Sequence, residues 1–336
     1  MTTVELRPMV DADFEVLRDI TERANVFDGA PVMPTVEALR SEIDGDHVVL
    51  ATDVRVAWVG GEAVGYVHTF YLPSDVALER CYLFGCVDPA HRGQGVGRAL
   101  IAWGIERATE QLQSSGSALP KVIRVDGRAQ VTSAHRLFDR MGFTSVRWFE
   151  ELLRPLTDLP ERRTVPGIDI VAWPDDRDEE IRIVKNIAFA DHWGSTPTST
   201  HHWAEMVRGY GARPDLSVVA LDADGAVVAH CLCGRYPEDD ELLGRSDGWV
   251  SYLGTLPQWR GKGLASALIV ESLHRFAADG LTHASIGVDA DSPTGAARLY
   301  RSLGFEPNQQ SVTHEIVLSA SGAGVDRHDN NVIIDP

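Results

Sequence analysis

Two short stretches carry the residues best suited to chemistry. One reads Arg92, Gly93, Gln94, Gly95, Val96, Gly97; the other reads Arg260, Gly261, Lys262, Gly263, Leu264, Ala265. Each opens an apolar-periodic run, from Ala99 to Ala108 in the first case and on to Phe276 in the second. Glycine has no Cβ, so its backbone N–H can approach a phosphate oxygen closely, and a helix starting there favours negative charge. Such a loop can seat a pyrophosphate, although a single copy could equally be a plain strand-to-helix turn. Competing phosphate motifs fit poorly. There is no GxxxxGK followed by Ser or Thr and no GxGxxG after the first strand, which argues against a P-loop kinase and a Rossmann dehydrogenase.

The elements that must position these loops are themselves repeated. Arg92 and Arg260 lie 168 residues apart, half of the 336-residue chain, and a period of this kind sets the architecture before any motif does. Val87, Asp88, Pro89 precede the first loop and Thr255, Leu256, Pro257 the second. Each copy also ends alike, with Leu137, Phe138 running to Gly142, Phe143 and Leu299, Tyr300 running to Gly304, Phe305. A helical pattern that stops at a glycine followed by an aromatic residue fits a left-handed C-cap whose next side chain packs back on the helix. The periodicity predicts, in each half, a strand, two helices, strands, the glycine loop opening a helix, then strand, helix and strand. The predicted strands before the loops are Glu79 to Val87 and Trp249 to Thr255, and Val48 to Val59 is read as one earlier strand. The domain reading is residues 1–153, a Pro- and charge-rich linker 154–167, a second domain 168–318, and a loosely ordered Gly/Asp-rich tail 319–336.

Composition narrows the class of protein. Hydrophobic residues at 44% and charged residues at 24% are ordinary globular usage. A net charge of −18, from 49 acidic and 31 basic residues, argues against a nucleic-acid surface. It favours cationic small molecules or serves solubility alone. Met1 to Pro8 lacks a basic region followed by an apolar run, and no stretch approaches the ~18 apolar residues of a membrane span, so a cytoplasmic protein without membrane partners is expected. Cys81, Cys86, Cys231 and Cys233 form no CxxC pair, and His201 and His202 are adjacent rather than one helical turn apart, so no metal site is expected.

Taken together, the two loops resemble the Gln/Arg-x-x-Gly-x-Gly/Ala signature of the GCN5-related N-acetyltransferases (GNAT), in two copies covering nearly the whole chain. The resemblance implies two tandem α/β (α+β) folds, each a mixed, mostly antiparallel twisted sheet flanked by helices. It implies acetyl-CoA as donor, with the pyrophosphate held at Arg92 to Arg98 and at Arg260 to Ser266. Pantetheine would run along Gly85, Cys86, Val87 and along Leu253, Gly254, Thr255. The arrangement is similar to two-domain members of the family in which the C-terminal half is catalytic. There are departures: the Asn that often begins the last segment is replaced around Asp291 to Pro293, and Trp249 stands where such enzymes often hold a Glu.

Direct transfer needs a neutral amine to attack the thioester while the thiolate of CoA, whose thiol has a pKa near ~8.5, takes up a proton. Tyr300 occupies the family's acid position. Backbone N–H groups around Leu253 to Thr255 are candidates to polarise the acyl carbonyl. The acceptor is expected near Phe189 to Pro197, where Asp191 and His192 are base or amine-binding candidates and Trp193 could stack on a cation. With Trp249 it makes up the candidate acceptor-binding set. The matching first-copy region, Asn25 to Pro34, has Asp28 but no His or Trp, and Phe138 replaces the tyrosine. The expectation is therefore a small-molecule amine N-acetyltransferase, monomer or homodimer, whose C-terminal copy is catalytic and whose N-terminal copy binds CoA. A protein or peptide N-acetyltransferase and a non-catalytic CoA sensor are the alternatives.

Overall fold

The computed structural model describes residues 3–30, 32–43, 48–74, 76–291 and 295–318. The segment read as a tail, 319–336, and part of the stretch Asp291 to Pro293 lie outside the described residues.

The first copy runs β1 (Glu5–Pro8), α1 (Phe14–Asp28), α2 (Val36–Ile43), α3 (Leu50–Asp53), β2 (Val54–Val59), β3 (Glu62–Leu72), β4 (Glu79–Val87), α4 (Val96–Ser114), β5 (Lys121–Arg128), α5 (Thr132–Arg140) and β6 (Thr144–Pro155). The second runs β7 (Asp169–Ala172), α6 (Asp178–Ala188), α7 (Thr200–Arg208), β8 (Val218–Leu221), β9 (Val227–Arg235), α8 (Asp240–Leu243), β10 (Asp247–Thr255), α9 (Leu264–Ala278), β11 (His283–Asp289), α10 (Ala296–Ser302) and β12 (Glu306–Leu318). Helix α1 forms because Phe14, Leu17, Ile20 and Ala24 fall on one buried stripe, and it ends at Gly29, whose φ of 65° no β-branched residue would tolerate. The strand expected over Val48 to Val59 is interrupted. Its first half is α3, held by buried Asp53, whose carboxylate accepts from the Val49 N–H at 2.8 Å and from Arg107 Nε at 2.9 Å.

Among the described residues twelve strands form one sheet, in the order β1-β2-β3-β4-β5-β12-β6-β11-β10-β9-β8-β7. Pairing is antiparallel throughout except β4 with β5 and β10 with β11, which are parallel. The centre of the sheet shows a reciprocal exchange of strands. β12, the last strand of the second copy, pairs with β5 of the first, from Ser311 opposite Arg128 to Leu318 opposite Lys121. β6, the last strand of the first copy, pairs with β11 of the second, from His283 opposite Pro155 to Asp289 opposite Phe149. The cores follow the strands: Leu152 of β6 is buried with Leu268, Phe276 and Ile286 of the second copy, whereas Ile316 of β12 is buried with Leu83, Leu100 and Ile123 of the first. Each copy thus closes the sheet of the other. Among the described residues no helix is long and apolar enough to cross a membrane.

Candidate active site

Two clefts open where parallel strands part. β4 and β5 stay paired from Glu79 opposite Lys121 to Leu83 opposite Val125, after which β4 runs on to Val87 without that neighbour. β10 and β11 stay paired from Asp247 opposite His283 to Val250 opposite Ile286, and β10 then runs on to Thr255. The register of β10 against β9 shifts between Val250 and Tyr252, an irregularity at the mouth of the splay. β4 has no such shift against β3; it carries Gly85, where a Cβ would come within 2.1 Å of the Tyr66 carbonyl oxygen. A cavity of about 720 Å³ fills the first gap and one of about 530 Å³ the second.

Both glycine loops end at these cavities. Gly93 and Gly95 have φ of 76° and 94°, and Gly261 and Gly263 have 74° and 87°, conformations that L side chains rarely adopt. A Cβ at Gly93, Gly261 or Gly263 would meet nothing within 4 Å, so the loop backbone faces open space. No side chain caps α4 or α9. The amides of a first helical turn lack intrahelical partners. The loops therefore fit a phosphate-bearing ligand by backbone and helix terminus alone.

The arginine of each motif has a different task from the phosphate contact expected of it. Arg92 donates through Nε to the Val87 carbonyl at 3.1 Å and through its two Nη atoms to Asp28 at 2.6 and 2.8 Å. Arg260 repeats the arrangement, with Nε to the Thr255 carbonyl at 3.3 Å and the Nη atoms to Asp191 at 2.5 and 3.1 Å. These latches tie the end of the early helix to the strand that enters the glycine loop. Asp191, expected as a base, is committed to its latch: the Arg260 hydrogen bonds hold its carboxyl below the usual carboxylate range, and it does not line the cavity.

Other expected residues sort by what they touch. Gly85, Cys86, Val87, Gly97 and Arg98 line the first cavity, but Gln94 turns back to the Ala90 carbonyl at 3.1 Å and Val96 is buried in the core. Leu253, Gly254, Thr255, Leu264, Ala265 and Ser266 line the second cavity, whereas Lys262 lies over the Trp259 ring at 4.4 Å. Trp193 does stack on a cation, but on Arg124 of β5, 3.9 Å from its ring centroid. Trp249 sits on the paired part of β10, opposite Ser285 and Gly234, away from the cavity wall. Neither tryptophan therefore faces an acceptor in the cleft.

Tyr300 and His192 both line the second cavity. Tyr300, 7% exposed, has its phenol pushed up by burial first and by nearby Cys231 second, which keeps the proton on the oxygen. Burial lowers His192 below its ordinary 6.5 despite the opposing pull of Asp191, so at neutral pH the ring is uncharged and can accept a proton. Its ring lies 4.7 Å from that of Phe189. Aligned on the latches, His192 matches Gly29, and aligned on the closing glycines, Tyr300 matches Phe138, which lines the first cavity. The first cavity is instead rich in cations: Arg98, Arg128, Arg136 and Arg140 join Arg92 on its wall, while among the described residues Arg260 is the one arginine on the wall of the second. Sequence reasoning missed Phe149, which β6 of the first copy contributes to the second cavity through the strand exchange. It also missed Tyr252 as a wall residue, whereas Phe189 opens the segment expected to build the acceptor pocket.

Comparison with known proteins places this architecture. Residues 183–305 match the model of the acetyltransferase (GNAT) family, and residues 45–145 match that of an acetyltransferase (GNAT) domain. A mycothiol acetyltransferase of Streptomyces coelicolor is 29% identical over 271 residues, covering 80% of this chain and 77% of its own. One from Frankia casuarinae is 31% identical over 257 residues, covering 73% and 69%. Among solved structures, a GCN5-related N-acetyltransferase from Sphaerobacter thermophilus superposes with a TM-score of 0.73 at 26% identity, over 94% of this chain and 95% of that one. The chain belongs to the GNAT family of N-acetyltransferases, in two tandem copies, and members of this family take their acyl group from acetyl-CoA.

Proposed function

We propose that the second copy transfers the acetyl group of acetyl-CoA to a primary amine of a small molecule, and that the first copy binds CoA without turning it over. One observation carries the reading: the two clefts share strands, glycine loop and arginine latch, yet His192 and Tyr300 stand in the second where Gly29 and Phe138 stand in the first. The pyrophosphate would lie on the uncapped amides after Gly263, and pantetheine along Leu253 to Thr255. His192 takes the amine proton as nitrogen attacks the carbonyl carbon, free strand amides hold the developing oxyanion, and Tyr300 gives its proton to sulfur as the C–S bond breaks. The two groups then exchange the proton with solvent. The four arginines that join latched Arg92 around the first cavity, Arg98, Arg128, Arg136 and Arg140, suit the phosphates of CoA, which supports a binding role for that copy.

The small-molecule reading is supported by the loop after α6. Arg80 of β4 donates to the Gly194 carbonyl and to Thr196 Oγ1, the latter at 2.9 Å, and Arg124 backs Trp193, so the loop is pinned across the seam rather than leaving a long open groove. The relatives' name also carries a small molecule, mycothiol. Release of free CoA thiol from acetyl-CoA by the full chain across a panel of small amines tests the reading. Amine-dependent release is expected. A chain that binds CoA but releases no thiol with any amine would leave a sensor, and acetylation confined to proteins would move the acceptor class.

A further inference from the structure

Behind the wall of the second cavity stand two cations, buried Lys185 and half-buried Arg80, that no carboxylate among the described residues neutralises. Lys185 of α6 is 6% exposed, and its Nζ, among the described residues, donates only to Thr198 Oγ1. It lies 5.5 and 5.8 Å from the ring centroids of Phe189 and Tyr252, two of the aromatic residues of the cavity wall. Arg80 reaches toward it from the first copy, spends its Nη atoms on Gly194 and Thr196, and keeps a buried Nε with no partner. The positive charge of Arg80 acts on Lys185, and that of Arg124 acts on Arg80, so like charges are gathered at the seam.

The chain carries 49 acidic residues against 31 basic, yet none of the described ones is placed at this seam to pair with Lys185 or Arg80. Three other cations of the interior are matched by carboxylates, Arg124 with Glu315 at 2.8 Å, Arg107 with Asp53 at 2.8 Å and Arg147 with Asp289 at 2.8 Å, while buried Arg154 is held by the backbone carbonyls of Leu303, Pro155 and Asp158. Burying like charges together without a counter-ion is costly, and one carboxylate side chain nearby would relieve it. The same region also holds polar atoms that, among the described residues, lack partners. Trp203 Nε1 and both ring nitrogens of His230 are buried without partners, and the two rings lie 6.4 Å apart. His230 sits against Gly254 on the cavity wall, where a Cβ would come within 2.3 Å of its Cε1, and the charge of Lys185 acts on it.

We propose that the acceptor amine carries an oxyanion, a carboxylate in the first instance, which seats on Lys185 in the shared field of Arg80 while the amino group faces the thioester. The acceptor is then an amino acid or a related amino-carboxylate rather than a simple cationic amine. This rests on the acetyltransferase reading given above. The net charge of −18 does not oppose it, because the local field at the seam is positive.

Two measurements on the full chain test the proposal. The first compares acetyl transfer to matched amines: L-serine with L-serinamide, and O-phosphoethanolamine with ethanolamine. KM is expected to be lower for the charged member of a pair, and Lys185→Met should raise the KM of that member about ten- to a hundredfold, the weight of one charged hydrogen bond. Lys185→Arg should restore much of the preference, and Arg80→Gln should reduce it. The phosphate pair distinguishes a general oxyanion seat from one shaped for carboxylate. The second measurement needs no turnover: N-acetylglycinate, but not N-acetylglycinamide, should raise Tm in the wild type and in Lys185→Arg, and not in Lys185→Met. Transfer to amides as efficient as to acids, unchanged by Lys185→Met, overturns the anion seat and leaves the acetyltransferase standing. No transfer to any amine, with a Lys185-dependent Tm shift still present, does the reverse. Absence of that shift together with absence of an acid preference overturns the seat outright.

Discussion

Leu152 belongs to β6 of the first copy by sequence and to the core of the second by packing, so Leu152→Ala probes the strand exchange directly. Cutting a core leucine to alanine loses transfer free energy and leaves a cavity, about 2–5 kcal/mol together. Leu152 is 0% exposed and flanked by Ile286 on one strand and Pro307 on the other, which leaves little room for collapse. That places the loss in the upper part of the range, about 3–5 kcal/mol. At about 2 °C per kcal/mol, the low end suited to a long chain, Tm should fall by roughly 6–10 °C. Scanning calorimetry, run beside tryptophan fluorescence and far-UV circular dichroism, should show one transition that moves as a whole, because each core contains a strand of the other copy. Ile316→Ala, the mirror substitution in the first core, should move the same single transition. Two separate transitions, with Leu152→Ala shifting only one of them, would refute the reasoning.

Other expectations follow from the site. His192 titrates below 6.5, so kcat/KM should fall on the acid side of that value, and His192→Ala should remove the acid limb and lower kcat while CoA affinity by calorimetry stays within about twofold. Gly263 has a φ of 87° at the helix start, so Gly263→Val should nearly abolish turnover, whereas Gly95→Val should spare most of it in a steady-state thiol-release assay. Burial lowers Lys185 from 10.5 to about 8, so above about 8 the folded chain holds fewer protons than the unfolded one and stability gains with pH. Lys185→Met should accordingly be more stable than the wild type at pH 7, with the difference shrinking as pH approaches 10.5 in denaturant titrations.

Much of the site was legible from local signals. The two glycine loops, the strands that enter them and the contrast of Tyr300 with Phe138 each depend on residues close in sequence, and periodicity placed β4 at Glu79–Val87 as the structure has it. What escaped was long-range. An alternating pattern shows that Thr144–Pro155 and Glu306–Leu318 are strands but does not say which edge they pair with, so the exchange between copies was invisible. The arginine latches join residues 64 and 69 positions apart, which made Arg92 and Arg260 look like phosphate ligands and Asp191 like a base. Trp193 was expected to stack on a cationic acceptor, but the cation over its ring is Arg124, from the other copy. The short helix α3 was hidden within an apolar run because its anchor, Arg107, lies on α4.

The central claim, that the second copy does the chemistry with Tyr300 as acid, is tested most directly by the kcat of Tyr300→Phe for acetyl transfer to the best amine. The substitution removes one oxygen and leaves a ring that the first copy already accommodates as Phe138. General acid catalysis typically contributes ~10²–10⁴-fold, so kcat should fall by that factor with CoA affinity little changed. Undiminished turnover in Tyr300→Phe, with activity lost instead in Gly95→Val, would contradict the account and place catalysis in the first copy.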